Sequence, residues 1–318
     1  MSKQFATALG KALLVILCLV YYRVDSIEIL RMSETDPFQE DFEQIKAKNA
    51  AKVKAQKELV ASPAYQSELK FIERITSDIL MLLRLCFIYS GRVSEYSENS
   101  LTIRSTDDLA QSVLAAWHLV EQGMINPVKR ELRYIIESSV KYLYVDQHAE
   151  GIESLAKLKE RLAFLETNVN SSIDVREELK LAALHPADAK QFVDELYDIY
   201  RDCCAYVHVS RRQIEERLNM VEKGRFLGFE TAEELRKVGR LMFRVYDVAL
   251  TLYFHGYDLS MTGDIFIEIL DDFPKWKFHK GKYVSVVSAY FDYKHERNMR
   301  KYGESRPWSP EGWPPKRL

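Results

Sequence analysis

Residues that let a backbone turn sharply are scarce in this chain, with 12 glycines and nine prolines among 318 residues. A sandwich or barrel reverses direction about every 8–12 residues and draws heavily on both. So few of them predict long helices joined by short links. The apolar residues agree: Leu69, Ile72, Ile75, Ile79, Leu82 and Leu83 recur at three- and four-residue intervals, one face of a helix rather than one face of a strand.

Reading on that basis places a helix over 3–32, a solvated helix or arm over 38–60, and a strongly patterned helix over 66–90. Residues 91–100 read as a polar loop. Ser105–Asp108 (STDD) reads as an N-cap with acids in the first turn, opening a helix that stops at Gly123. Asn126-Pro127 looks like a cap followed by Pro at the first helical position. Further helices are expected near 152–167, 174–184, 187–207, 211–222 and 230–256. Residues 264–270 fit a short strand or a helix end, and 281–289 a strand or a helix start. The expectation is an all-α bundle of antiparallel helices over 66–257, an N-terminal helical arm over 1–65 and a basic, aromatic C-terminal region over 258–318.

Composition bounds the chemistry. Cys18, Cys86, Cys203 and Cys204 form no C-x-x-C pair, which reads as free thiols in a reducing compartment. Ala12–Tyr22 is wholly apolar, but its length reaches about 16 Å as a helix, short of the roughly 20 residues a bilayer core requires. The run is expected to be a buried helix, and the chain cytoplasmic and off the membrane. Charge is unevenly spread. Residues 274–318 hold eleven Lys and Arg against four Asp and Glu, a surplus of seven positive charges. The whole chain sums to −2, so the remainder carries −9.

No phosphate-binding G-x-x-x-x-G-K-[ST], dinucleotide G-x-G-x-x-G, zinc-binding H-E-x-x-H or nucleophile G-x-S-x-G occurs. One constellation remains, in Tyr200-Arg201-Asp202-Cys203-Cys204-Ala205-Tyr206-Val207-His208-Val209-Ser210. On a continuous helix Arg201 and His208 would share a face, about 10 Å apart along the axis. A neutral imidazole can take the proton of a ribose 2′-hydroxyl, and a guanidinium can hold the phosphate as charge develops. With 22 Arg and seven His in the chain, the spacing alone arises readily by chance.

Context adds a likeness. The Arg201-to-His208 segment, with polar Asp202 directly after the Arg, resembles the R-x(4–6)-H signature of the HEPN (higher eukaryotes and prokaryotes nucleotide-binding) superfamily. The stretch 113–147, with Arg133 and Glu137 as an R-x-x-x-E element, is similar to the helix pair of AbiV-type bacterial proteins, and His208-Val209-Ser210 to their later His-x-Ser. The likeness spans roughly 70–256. It implies a helical, dimeric, metal-independent endoribonuclease of a phage-defence or toxin system. Arg201 would bind phosphate, His208 would be the acid/base, and Asp202 and Ser210 would support them. Arg133 and Glu137 would either form an ion pair on one helix face or orient the site from a polar cleft. Some members of the superfamily lack activity. The second expectation is therefore a non-catalytic module binding nucleic acid or a protein partner such as an antitoxin. Neither calls for a metal or an organic cofactor.

The basic C-terminal stretch is the candidate nucleic-acid contact, through Lys275, Lys277, Lys280, Lys282, Arg297 and Arg300. Aromatics interleave with these cations, among them Trp276, Phe278 and Tyr283. They read either as stacking platforms for unpaired bases or as anchors docking the segment on an acidic helical body. His118, beside Trp117, reads as a packed or surface residue, and His185 as a helix-end residue.

Overall fold

The computed structural model describes residues 37–92, 94–149, 157–170, 172–207, 210–222, 231–257, 259–270 and 273–291. The helix expected over 3–32 and the apolar run 12–22 lie outside them. Two compact units divide the chain, Met1–Gln56 and Lys57–Leu318. What is described of the first belongs to helix α1 (Pro37–Ala61). Its residues are largely exposed and rich in Ala, Lys, Gln and Glu, so helix propensity rather than a buried stripe accounts for it.

The second unit contains helices and no strand among its described residues. In chain order these are α2 (Pro63–Ser90), α3 (Ser94–Asn99), α4 (Leu101–Arg104), α5 (Thr106–Glu121), α6 (Ile125–His148), α7 (Leu158–Asn168) and a 3₁₀ turn at Asp174–Glu178. Then follow α8 (Pro186–Cys204), α9 (Arg211–Glu222), α10 (Ala232–Gly256) and α11 (Leu259–Ile265), which runs into a π-helical turn at Phe266–Leu270. A 3₁₀ turn at Lys277–Lys280 and α12 (Val284–Tyr290) complete it. No described helix is long and apolar enough to cross a membrane.

Local chemistry sets the helix starts. Ser62 accepts the Tyr65 N–H at 3.3 Å and Pro63 opens α2. Thr231 and Glu234 form a reciprocal capping box on α10. His185 caps α8 through the Ala187 N–H. Two expected caps are not used. Ser105 turns its hydroxyl to the Thr102 carbonyl, and α6 begins one residue before Asn126. Residues 91–100, expected as a loop, include α3. The next helix, α4, is held from a distance: Asp146 of α6 accepts the N–H groups of Leu101 and Thr102 and the Ser100 hydroxyl, and pairs with Arg161 of α7 in buried surroundings. Residues 174–184 form a 3₁₀ turn, a short irregular link and a second turn closed by the Leu184 N–H on the Leu181 carbonyl, rather than a helix.

Side-chain pairs give the helix directions. Tyr134 with Asp108, and Glu131 with Ser112, make α5 and α6 antiparallel. Arg133 with Tyr200, and Arg130 with Tyr206, do the same for α6 and the chain leaving α8. The α2–α10 pair departs from the all-antiparallel expectation. Glu68 meets Arg236, Ile72 lies against Gly239 and Phe71 against Phe243, so the two helices run parallel. Gly239 is required by this closeness, because a Cβ there would stand 2.9 Å from Ile72 Cγ1.

Residues 273–291 are integral to this core. Trp276, Phe278, Tyr283, Val284 and Val287 are buried in the same cluster as Ile72, Ile79, Leu250 and Phe254. Burying each such side chain contributes about 1.5–3 kcal/mol. Two buried carboxylates fix the segment. Asp78 of α2 accepts the Lys277 N–H at 2.7 Å, while its carbonyl accepts the Trp276 indole N–H at 3.3 Å. Asp247 of α10 accepts the Tyr283 and Val284 N–H groups at 3.0 and 3.1 Å, capping α12.

Candidate functional site

The candidate site occupies the junction of α6, α8 and α9. Helix α8 is expected to continue to residue 207, carrying Arg201 and His208 on one face; it ends at Cys204 instead. The N–H groups of Tyr206 and Val207 reach back three residues, to the carbonyls of Cys203 and Cys204, tightening the chain out of α-helical form. Tyr206 then turns inward and is buried, and its carbonyl accepts the Arg130 Nε–H at 2.7 Å. The shared-face argument therefore does not apply to Arg201 and His208. His208 and Val209 lie outside the described residues.

The junction is firmly held on either side of them. Ser210 donates its hydroxyl to the Ala205 carbonyl at 2.6 Å and accepts the Gln213 N–H at 3.1 Å, closing the turn and capping α9 together. Tyr206 donates to Glu216 at 2.6 Å, and Lys129 stands 3.5 Å above its ring and 3.7 Å from Glu216. Burial lowers the Lys129 pKa, opposed by the Glu216 charge. Burial first, and then the bond to Glu216, raises that of Tyr206.

Arg201 projects from the last turn of α8 into solvent, 67% exposed, and pairs with Asp198 at 3.0 Å. Asp202 meets Arg212 of α9 at 3.3 Å. Arg133 and Glu137 are not brought to Arg201. They face its neighbour Tyr200, about 100° around the helix. Arg133 donates to the Tyr200 hydroxyl at 3.3 Å and pairs with Glu137 at 3.2 Å, and Lys141 takes the other Glu137 oxygen. This is a half-buried polar seam between α6 and α8, neither a free surface pair nor an open cleft. Cys203 is buried behind it with its thiol pushed up to about 12, so it is an unreactive core residue; Cys204 is half-buried and Cys86 buried, all three unbridged.

Sequence reasoning missed Lys129, Arg130, Tyr200, Tyr206 and Glu216. Arg130 and Lys129 precede Arg133 by three and four residues, so one helix face offered a cationic row in the sequence. Nothing in the sequence pointed to the two tyrosines as its partners.

In the C-terminal region Lys275, Lys277 and Lys280 are exposed beside α2. Lys282 is committed to Glu195 of α8 at 2.6 Å. Trp276, Phe278 and Tyr283 are buried and offer no face for a base to stack on. Arg297 and Arg300 lie outside the described residues. His118 is exposed beside Glu121. Among the described residues, no three His, Cys, Asp or Glu side chains gather as a metal site.

No protein-family model, curated protein or solved structure matches this chain.

Proposed function

We propose that this chain is a HEPN-like, metal-independent endoribonuclease of a bacterial phage-defence or toxin system, acting in the cytoplasm. The observation that carries the reading is the Arg201 guanidinium, presented to solvent from the last turn of α8, just before the Ala205 and Tyr206 carbonyls that Ser210 and Arg130 hold. His208 follows Arg201 by seven residues in the sequence. Its imidazole would take the proton of a ribose 2′-hydroxyl while that oxygen attacks the adjacent phosphorus. As the bond from phosphorus to the 5′-oxygen breaks, that oxygen would take a proton from solvent water, and a 2′,3′-cyclic phosphate would remain. Arg201 would hold the non-bridging oxygens. Asp202 would act through Arg212, and Ser210 through the turn it closes. Arg133 and Glu137 would set the α6–α8 spacing. Lys275, Lys277 and Lys280 would steer the RNA backbone.

Purified protein incubated with RNA in EDTA tests this, with Arg201→Ala and His208→Ala prepared identically. Cleavage by the native chain alone, leaving cyclic phosphate ends, is the expected result. Equal activity in all three preparations would remove the assignment.

A second reading has its own observation. Arg201 and Asp202 are each committed to an ion pair, with Asp198 and Arg212. A chain that only binds RNA or a protein partner such as an antitoxin would keep its charges paired in this way. It would retain RNA affinity in filter binding with no cleavage, and lose it when Lys275, Lys277 and Lys280 are replaced by Glu.

A further inference from the structure

Helix α9 is unlike the other long helices of the second unit, because none of its twelve residues is buried. Gln213, Glu216 and Met220 are its half-buried positions and mark the side that rests on the body. Ile214, Leu218 and Val221 are 47%, 55% and 53% exposed. At about 100° per residue this apolar stripe lies roughly 130° around the helix from the body-facing side. Its four- and three-residue steps are the d-a-d spacing of a two-helix seam. A twelve-residue helix is marginal in water on propensity alone, so the stripe calls for a cover.

We infer that the cover is α9 of a second copy of this chain, packed parallel and in register about a two-fold axis. The flanking charges choose both partner and direction. With Ile214 and Val221 at d and Leu218 at a, Arg217 falls at g, and Glu215 and Glu222 fall at e. In a parallel pair, g of one helix meets the following e of the other, so Arg217 faces Glu222 across the seam and Glu222 faces Arg217, twice by symmetry. In an antiparallel pair g meets g and e meets e, which sets Arg217 against Arg217 and glutamate against glutamate. Self-association in the parallel sense therefore gains two opposite-charge contacts where the reverse sense gains repulsions. The axis runs along α9, so the two Ser210 turns that precede the helices come side by side. The inference stands on the stripe and its charges and is independent of any ribonuclease activity.

Sedimentation of the full chain over a range of concentrations tests it, with the charge pair as the decisive variant. The native chain should form a dimer. Leu218→Asp should raise the dissociation constant at least about tenfold with circular dichroism unchanged. Arg217→Glu should weaken the dimer, and Arg217→Glu with Glu222→Arg should restore it. Ile214→Cys should form a disulfide-linked dimer on mild oxidation beyond any background from the native cysteines, because an antiparallel pair would set Ile214 against Val221 and only the parallel register sets it against its own copy. A monomer at every concentration, which would mean the chain covers the stripe itself, overturns the inference. So does a dimer indifferent to Leu218→Asp, or a double charge variant no better than the single one. A native chain that forms this dimer and cleaves no RNA would count against the ribonuclease reading alone.

Discussion

Two of the places where carboxylates hold a segment of the chain differ in kind. On the C-terminal segment, Asp78 and Asp247 are buried and accept backbone N–H groups, and the segment they hold inserts Trp276 and Phe278 into the core. At the α8–α9 junction, Asp198 and Asp202 are exposed and hold exposed arginines, and α9 contributes nothing to the core. Buried hydrogen bonds to a charged group are worth about 1.5–3 kcal/mol, whereas surface ion pairs contribute about 0–1. The first region is therefore permanent architecture. The second spends little stability on its geometry, which leaves its charges available to something outside the bundle.

The largest effect that could break this contrast is Phe278→Ala. The ring is fully buried and stacks on Phe243 with centroids 5.1 Å apart. The expected loss is about 3–5 kcal/mol, read from urea unfolding. A loss below about 1 kcal/mol would mean that residues 273–291 detach without disturbing the bundle, and the first region would be no more permanent than the second.

Next comes a pH dependence confined to the buried carboxylates. Burial raises the Asp247 pKa to about 6, against the backbone N–H groups that lower it. The unfolded value is near 3.9, so between roughly pH 4 and 6 the folded state binds the extra proton. The contribution is present in full below about pH 4 and is lost as pH rises through about 6, on the order of 3 kcal/mol at its limit. Asp247→Asn should remove that slope while keeping an acceptor for Tyr283 and Val284. Urea titrations of both proteins from pH 4.5 to 8, taken as a difference, isolate it. Parallel curves across that range would show that Asp247 is solvated, and with it the start of α12.

Much of this contrast was hidden in the sequence for a physical reason. The start of helix α9 was legible, because Ser210 caps it locally. The end of α8 was not legible. Ala205 and Tyr206 carry no breaker signal, and the helix stops because Arg130, 76 residues away, captures the Tyr206 carbonyl. Residues 281–289 looked as much like strand as helix because Val284, Val286 and Val287 are β-branched. They form α12 because Asp247 supplies a cap from another helix. At the site, the Arg133–Glu137 pair was readable as an i,i+4 spacing, while its third partner Tyr200 required the α6–α8 packing.

That seam supplies an intermediate case. Glu137 is about one-fifth exposed and holds both Arg133 and Lys141. Glu137→Gln leaves two half-buried cations facing each other across a neutral amide, and should cost about 1–2 kcal/mol. A denaturant midpoint matching the native chain would place the seam with the surface pairs of α9 rather than with the core.

The smallest expected effect on stability falls on the residue expected to matter most for activity. Arg201→Ala removes a guanidinium that is two-thirds exposed and one surface ion pair, so unfolding should shift by no more than about 0.5 kcal/mol. Arg201→Lys should be as benign to folding, yet it replaces a planar fork with a point charge and cannot hold two phosphate oxygens in the same way. Thermal unfolding and RNA cleavage measured on the same three preparations give the answer. If cleavage falls in the order native, Lys, Ala at constant stability, the exposed arginine has a chemical role that its folding contacts do not explain. A loss of more than about 1 kcal/mol in Arg201→Ala would instead make the Asp198 pair a structural contact. The α8–α9 junction would then be held as tightly as the C-terminal segment, and the difference between the two regions would disappear.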